Sequence, residues 1–497
     1  MPMIGFNARF AAGDESYVWK SAPMPRIYSA VLALAALMLS GVLTGQAQAQ
    51  SIVISGVEIL EFDGVDVARR ADGTVWIDGD RIVAAAAADG EPPQTVIDGR
   101  GLYLMRGLTD MHVHLWDQVE LGAYLAHGVT QIRNLSGMPF HLRLAQEIES
   151  GAVVGPRLVT SGPILNSAGA NFQIIHERVE TADEARAAVR RQHAAGFRTL
   201  KVYSNLSREA YEAIRDESRD LGMGMMGHSP EGRRGPGVPA HAPFDIAFEE
   251  LLDDGFVTFE HVETIAWHGL SGRRDLEAMR GLAARLAASK AVVDPTLVAF
   301  YNLLRVAETK GEFVNGPDMQ LLNPLVVAQE APNYARWAAE DVEAARADFA
   351  FYQAATAALH EAGVRLVAGS DSGIFANAPG VSLIDELDLM ISAGLTPAQA
   401  LGAATANAAL TLEADDSGGL VRPGMRADLI LLDADPTKDI GALRRPVAVI
   451  AAGRLQDREA LDAMLGAARA PDMTRTITNL TEGLTAQGVD PSAVLAP

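Results

Sequence analysis

The middle of the chain alternates between two periodicities. Apolar runs of strand character recur at about 108–114, 129–135, 157–162, 197–203, 222–228, 256–261, 291–297 and 364–370. Ala-rich stretches with helical spacing, such as 184–195 and 208–221, separate them. Eight strands alternating with helices is the pattern of an α/β fold, and specifically of a (β/α)8 TIM barrel. The first six repeats are closely spaced, whereas the gap before the last run is long. Residues 300–350 are therefore read as a helical insertion carrying Phe300, Tyr301, Phe313, Tyr334 and Trp337. An insertion that follows a barrel strand lies at the catalytic face, so this one is either a lid or a packing and dimerisation element.

Both ends of the chain have a different texture. Short β-rich segments occur at 52–54, 74–77 and 81–83, with Asp78-Gly79-Asp80 as the tight-turn signal between the last two. Similar segments return at 427–432 and 447–450. One small sheet domain built from both ends is expected. The predicted organisation is a β-sandwich of residues 50–106 plus 416–460, a barrel of 107–415, and a C-terminal helix and polar tail over 461–497. At the N-terminus, Arg26 is followed by an apolar run over 27–43 and by Ala47-Gln48-Ala49, a small-x-small site. Residues 1–49 are read as a cleaved signal peptide whose true start is Met24, which makes the protein exported, periplasmic or secreted. The run is short for a spanning helix, so no stable membrane anchor is expected.

Composition narrows the chemistry. The chain has 497 residues with 48% apolar and 21% charged side chains, enough for two domains and a large core. A formal net charge of −22 argues against a nucleic-acid partner, which wants a basic stripe. There is no cysteine, which removes disulfides, thiolate metal sites and a thiol nucleophile. Any metal must be held by His, Asp, Glu or something rarer.

The candidates for that role fall at strand ends. In Asp110-Met111-His112-Val113-His114, residues two apart in a strand point the same way, so His112 and His114 form a metal clip at the end of the first run. Lys201 lies inside the apolar run Thr199-Leu200-Lys201-Val202-Tyr203, where an unpaired ammonium is costly. Either a barrel carboxylate pairs with it, or CO2 converts it to an anionic carbamate able to bridge two ions. Tyr203 shares its face and is either a substrate-positioning hydroxyl or a core tyrosine. His228 and His261 end the fifth and sixth runs, and their phasing marks them as ligands. Asp371, in Gly369-Ser370-Asp371, follows the eighth and can both ligate a metal and accept a proton. His176, His241 and His268 fall on loops that can reach substrate, while His141, His193 and His360 are expected on the surface and His127 as a helix-end cap. Arg233 and Arg234 offer a fork for a substrate carboxylate or a solvated pair.

These motifs together resemble the amidohydrolase superfamily, in the branch of imidazolonepropionase-related proteins and metal-dependent prolidase-like dipeptidases. Gly107-Leu108-Thr109-Asp110-Met111-His112-Val113-His114 is similar to the family's first-strand pattern, Gly128-Val129-Thr130 to its second and Gly369-Ser370-Asp371 to its last. Ala393-Gly394-Leu395-Thr396-Pro397 and Arg422-Pro423-Gly424-Met425-Arg426-Ala427-Asp428-Leu429 are similar as well. The resemblance spans about residues 52–455. It implies a barrel with a small β-sandwich. It also implies two divalent metal ions, expected to be zinc. His112, His114 and Asp371 hold one ion, His228 and His261 the other, and a carboxylated Lys201 bridges them.

The expected activity is hydrolysis of a non-cyclic amide by a metal-activated water, in a dipeptide or an N-acyl amino acid. Asp371 is the proton-transferring residue, and Tyr203, His176 and Arg233 contact substrate. The alternatives are a mononuclear deaminase or cyclic amide hydrolase with Lys201 uncarboxylated, and an inactive barrel that only binds. The expected partner is a small-molecule or dipeptide substrate, and a homo-oligomer is left open.

Overall fold

The computed structural model describes residues 51–84, 93–169, 172–173, 175–234, 238, 242–414, 416 and 418–492. The expected signal peptide over 1–49 and His241 lie outside them.

Each of the eight expected runs contains a strand: β1 (Leu108–Val113), β2 (Val129–Asn134), β3 (Arg157–Thr160), β4 (Thr199–Val202), β5 (Gly224–Gly227), β6 (Phe256–Glu260), β7 (Val292–Asp294) and β8 (Arg365–Leu366). All pair in parallel, β1 to β3 in one ladder and β4 to β8 in another. Every residue of β1 and of β2 is buried, as expected for parallel strands covered on both faces. The ladders are discontinuous between β3 and β4 and between β8 and β1, where isolated contacts cross. Gly162 N–H donates to Thr199 O at 2.9 Å, and Met111 N–H to Ala368 O at 2.9 Å. A short strand, Ile164–Asn166, pairs with β4 on its outer side.

Strands from both chain ends join in one eight-stranded sheet. The long strand Ser51–Phe62 pairs antiparallel with Val67–Asp78 and parallel with Thr95–Asp98 and Tyr103–Arg106. Tyr103–Arg106 then pairs with Leu429–Leu432, which pairs with Ala448–Ala451. Ile52, Ile54, Val75, Leu429 and Leu431 form its own apolar core. The turn at Gly79-Asp80 joins Val67–Asp78 to Arg81–Val83 in the expected hairpin, with Gly79 at φ 60°.

Residues 300–350 are helical, as read from the sequence. They belong to α1 (Leu297–Glu308), α2 (Pro324–Ala338) and α3 (Val342–Glu361). Thr296 takes a left-handed φ of 46° and offers α1 no side-chain cap. The cap comes from α4 (Val381–Ser392), where buried Glu386 accepts from Val298 N–H at 2.7 Å.

Two expectations need correction. The polar tail contains a further helix, α5 (Met473–Ala486), which buries Thr476, Leu480 and Leu484. Arg475 fixes it through a two-pronged contact with buried Asp117, at 2.7 and 2.8 Å. Its apolar positions are sparse, so polar anchors carry part of the docking. His141, expected on the surface, is fully buried and joins Leu115 O at 2.8 Å to Met138 N–H at 2.9 Å.

Candidate metal centre

Four imidazoles, an amine and a carboxylate meet at the C-terminal ends of the strands. His112 and His114 project together from β1. Lys201 comes from β4, His228 and His261 follow β5 and β6 directly, and Asp371 lies five residues beyond β8. All six line one cavity of about 880 Å3, with Tyr203, His176, Glu231, Glu263 and Trp267 on its walls.

The centre of convergence is one oxygen. Asp371 Oδ1 lies 3.2 Å from His112 Nε2 and 3.0 Å from His114 Nε2. Lys201 Nζ lies 3.3 Å from the same His112 nitrogen. His261 and His228 stack around it, with ring centroids 4.8 Å from His112 to His261 and 4.5 Å from His261 to His228. The ligand atoms of His112, His114 and Asp371 fall within 4.8 Å of one another, in a wholly buried group. A metal there would replace contacts that otherwise press nitrogen lone pairs against a carboxylate, so the donor set fits a divalent ion.

The backbone aims these groups by leaving regular geometry. His261 adopts φ 68° and Asp371 φ 52°, left-handed values that cost non-glycine residues energy. The turn at Asp371 is tied to β1, because Asp110 accepts from Ser370 N–H at 2.9 Å and from the Ser370 hydroxyl. Gly369 lets the strands close up. A Cβ there would lie 2.0 Å from Asp294 Oδ2 and 2.7 Å from His112 Cβ.

The far nitrogen of three imidazoles has a partner that the sequence did not disclose. His112 Nδ1 lies 3.0 Å from Glu260 Oε2, His114 Nδ1 2.9 Å from Ser136 Oγ, and His261 Nδ1 2.6 Å from Thr296 Oγ1. Holding Nδ1 in this way leaves each Nε2 for the centre. Beneath them is a buried charged layer. Arg133 Nη2 donates to Glu260 Oε1 at 2.9 Å, the Thr258 hydroxyl donates to the same oxygen, and Asp294 stands close by. A charged residue inside an apolar strand was the available signal, and Arg133 in Thr130-Gln131-Ile132-Arg133-Asn134 carries it.

Burial dominates the electrostatics. It pushes the Lys201 amine down to about 8, and His261 down to about 4. Asp371 is pushed up by burial, but His112, His114 and His261 more than offset this and hold it well below the usual carboxylate range. Glu260 shows the same balance, with Arg133 and Lys201 overcoming burial to keep it low. Asp294 has no such surplus of cations, and burial together with Glu260 raises it well above the ordinary value. On the cavity wall, burial lifts Glu231 to about 8 and Glu263 to about 7.

The residues expected to contact substrate divide. Tyr203 lies on the wall, its ring 3.9 Å from His228 and 4.7 Å from His176. His176 Nδ1 accepts from Gln173 N–H at 3.2 Å, so its proton sits on Nε2, which is buried on the cavity wall without a partner among the described residues. Arg233 is not on the wall. Its guanidinium bonds the Glu180 carboxylate and, at 3.2 Å, the Glu180 carbonyl, so a carboxylate of the chain itself occupies the expected fork. Arg234 lies over Phe244, 4.5 Å from its centroid. His268 is buried against Ile246 O at 2.8 Å, away from the cavity, and His127 caps Ala123 O at 2.8 Å, as expected.

Comparison with known proteins gives this arrangement a class. Residues 350–455 match the Amidohydrolase family. Ochratoxinase from Aspergillus niger is 24% identical over 435 residues, covering 74% of this chain and 79% of that one. Among solved structures, a bottromycin amidohydrolase superposes with a TM-score of 0.65 at 24% identity, covering 89% of this chain and 92% of the other. A Xaa-Pro dipeptidase with bound methionine superposes with a TM-score of 0.59 at 19% identity, covering 82% and 100%. The fold is thus of the TIM-barrel type shared by these amidohydrolases. The Amidohydrolase match lies within residues 350–455, and together with the ochratoxinase likeness it supports a hydrolase acting on carbon–nitrogen bonds.

Proposed function

We propose that the protein is an exported two-metal hydrolase that cleaves a non-cyclic amide bond, in a dipeptide or an N-acyl amino acid. The observation that carries this reading is the meeting of His112, His114, Lys201, His228, His261 and Asp371 around one enclosed cavity. His112, His114 and Asp371 would hold one ion and His228 and His261 the other, with Lys201, as its carbamate, between them. Bound zinc ions would supply Lewis acidity and lower the pKa of a water at the site.

The remaining work falls to the chain. Asp371 takes the proton of the attacking water and returns it to the departing amine, for which its central position between His112 and His114 suits it. His176 presents Nε2–H, and Tyr203 its hydroxyl, to the polar groups of the substrate. The rings of His176, Tyr203 and His228, packed against one another at tilted angles, hold those donors in place. The aromatic and aliphatic wall of Trp267, Phe300 and Ile374 excludes water around the scissile bond.

One observation favours a one-metal relative. Among the described residues, two groups lie at ligand distance and both contain His112, one with His114 and Asp371 and one with Glu260 and Asp294; neither includes His228 or His261, and the Lys201 amine lies against His112. Metal analysis on protein reconstituted in bicarbonate buffer separates the two. Two equivalents per chain support the proposal, and one equivalent supports a mononuclear deaminase or cyclic amide hydrolase. A screen of dipeptides, N-acyl amino acids and lactones with the zinc-loaded protein then tests the bond cleaved. Turnover confined to lactones or cyclic amides would overturn the assignment.

A further inference from the structure

Beside the active-site cavity is a second chamber of about 570 Å3, and Glu263, Phe300 and Leu303 are walls of both. Helices α1, α2 and α3 build the rest of it, so it is the work of the long segment between β7 and β8. Phe300 stands at the junction. Its ring lies edge-on to His261 at 6.2 Å on one side and to Tyr352 at 5.2 Å on the other. The chamber therefore adjoins the active-site cavity at Phe300, the ring that also faces His261.

Its lining combines apolar side chains, acids and one cation, Arg336. Trp337 and Tyr352 give aromatic surface, and Glu263, Glu340 and Asp348 give carboxylates. Two of these acids already have cations. Arg336 lies 3.7 Å from Glu340, and Arg274 lies 3.0 Å from Asp348. Glu263 has no ion-pair partner among the described residues. It accepts from the Thr264 hydroxyl at 3.3 Å and shares the chamber wall with another carboxylate, Asp348. It is half-buried, and what remains open faces the two chambers.

Resting on the amide-hydrolase reading, we infer that this second chamber is a side-chain subsite for substrates bearing one positive charge at the end of a flexible apolar stem, of the lysine or arginine type. The stem passes Phe300 and Leu303, which offer it apolar contact. The charge reaches the Glu263 carboxylate, which has no cation of its own among the described residues. Trp337 and Tyr352 add the attraction of ring faces for a cation. Glu340 and Asp348 are already paired, so the chamber has one unmatched negative charge and calls for one positive group. A neutral isostere fills the space but leaves the carboxylate unpaired.

The test uses two isosteric dipeptide pairs with the metal-loaded enzyme: leucyl-lysine against leucyl-norleucine, and lysyl-leucine against norleucyl-leucine. In one pair the lysine peptide is expected to exceed its norleucine partner by about tenfold or more in kcat/KM. Glu263→Gln should bring that ratio to within about twofold. Because Glu263 neighbours the metal-binding segment, a second variant guards the result. Phe300→Trp narrows the junction and should depress turnover of the lysine peptide relative to an alanine peptide. Ratios near one in both pairs, or a lysine preference that survives Glu263→Gln, overturn the subsite. If neither pair is hydrolysed, the dipeptide form of the hydrolytic reading fails, and calorimetric binding of the same peptides decides the subsite. Equal affinities then sink it, and a lysine preference lost in Glu263→Gln upholds it.

Discussion

Glu260 Oε2 lies 3.0 Å from His112 Nδ1, and both atoms are buried. The contact is electrostatic in kind, since neither atom has an aligned hydrogen-bond partner. Arg133 keeps Glu260 ionised, so the proton on His112 is drawn to Nδ1 and the Nε2 lone pair faces Asp371 and Lys201. Glu260→Gln removes the charge and keeps the shape. It should weaken metal binding by about 10- to 100-fold while the fold persists. Competition between the metal-free protein and a chromophoric chelator measures this, and an unchanged affinity would refute the role.

Asp371→Asn separates ligation from proton transfer. The amide retains an oxygen that can face His112 and His114 but cannot take the proton of water at neutral pH. Metal content should stay near that of the parent, and turnover should fall by about 100-fold or more. Near-normal turnover would return proton transfer to another group.

Much of this centre was legible in the sequence, because strands covered on both faces read as apolar runs and their ends could be numbered. His112 and His114 followed from the two-residue period alone. Glu260 was hidden by the same rule. Adjacent strand residues should point to opposite faces, so a ligand at 261 argued against a site residue at 260. The structure ends β6 at Glu260 and turns His261 through φ 68°, which brings both side chains to the site. Ser136 and Thr296 were invisible for another reason: hydroxyls that orient imidazoles look like any loop Ser or Thr. Arg233 misled because loop composition does not show which carboxylate of the chain lies within its reach.

Gly369 has a role that only the packing discloses. An added Cβ would press on the Asp294 carboxylate and on His112, so Gly369→Ala should cost about 1–3 kcal/mol and reduce metal content. Gly281 is the contrast. It lies within the helix Leu276–Ala288 with nothing within 4 Å of an added Cβ. Gly281→Ala should instead stabilise by about 1 kcal/mol. Denaturant unfolding of the two variants, with metal analysis of the first, checks both signs.

The charged layer under the site should behave unlike the surface. Arg133 is buried among Glu260, Thr258 and Met111 O, so Arg133→Met leaves an uncompensated buried carboxylate and should cost about 3–5 kcal/mol. The Arg143–Glu482 pair is also close, at 2.7 Å, but its side chains are 54% and 39% exposed. Arg143→Ala should therefore cost less than about 1 kcal/mol. Equal losses in the two variants would contradict the account.

Glu386 gives the fold a pH dependence of definite sign. Burial raises this carboxyl from 4.5 in the unfolded chain to about 8 in the folded one. Between those values the folded state binds the proton and the unfolded state does not, so stability falls as pH rises. The contribution is complete below about pH 4.5 and is lost as pH passes about 8. Glu386→Gln removes the titration and keeps an oxygen for Val298 N–H, the contact that caps α1 beside the cavity. Its unfolding free energy should decline less steeply than the parent's from pH 5 to pH 8. Chemical denaturation across that interval measures the difference in slope. Parallel curves would mean that Glu386 stays ionised in the folded protein, with its charge stabilised by the amides at the start of α1 rather than suppressed by burial.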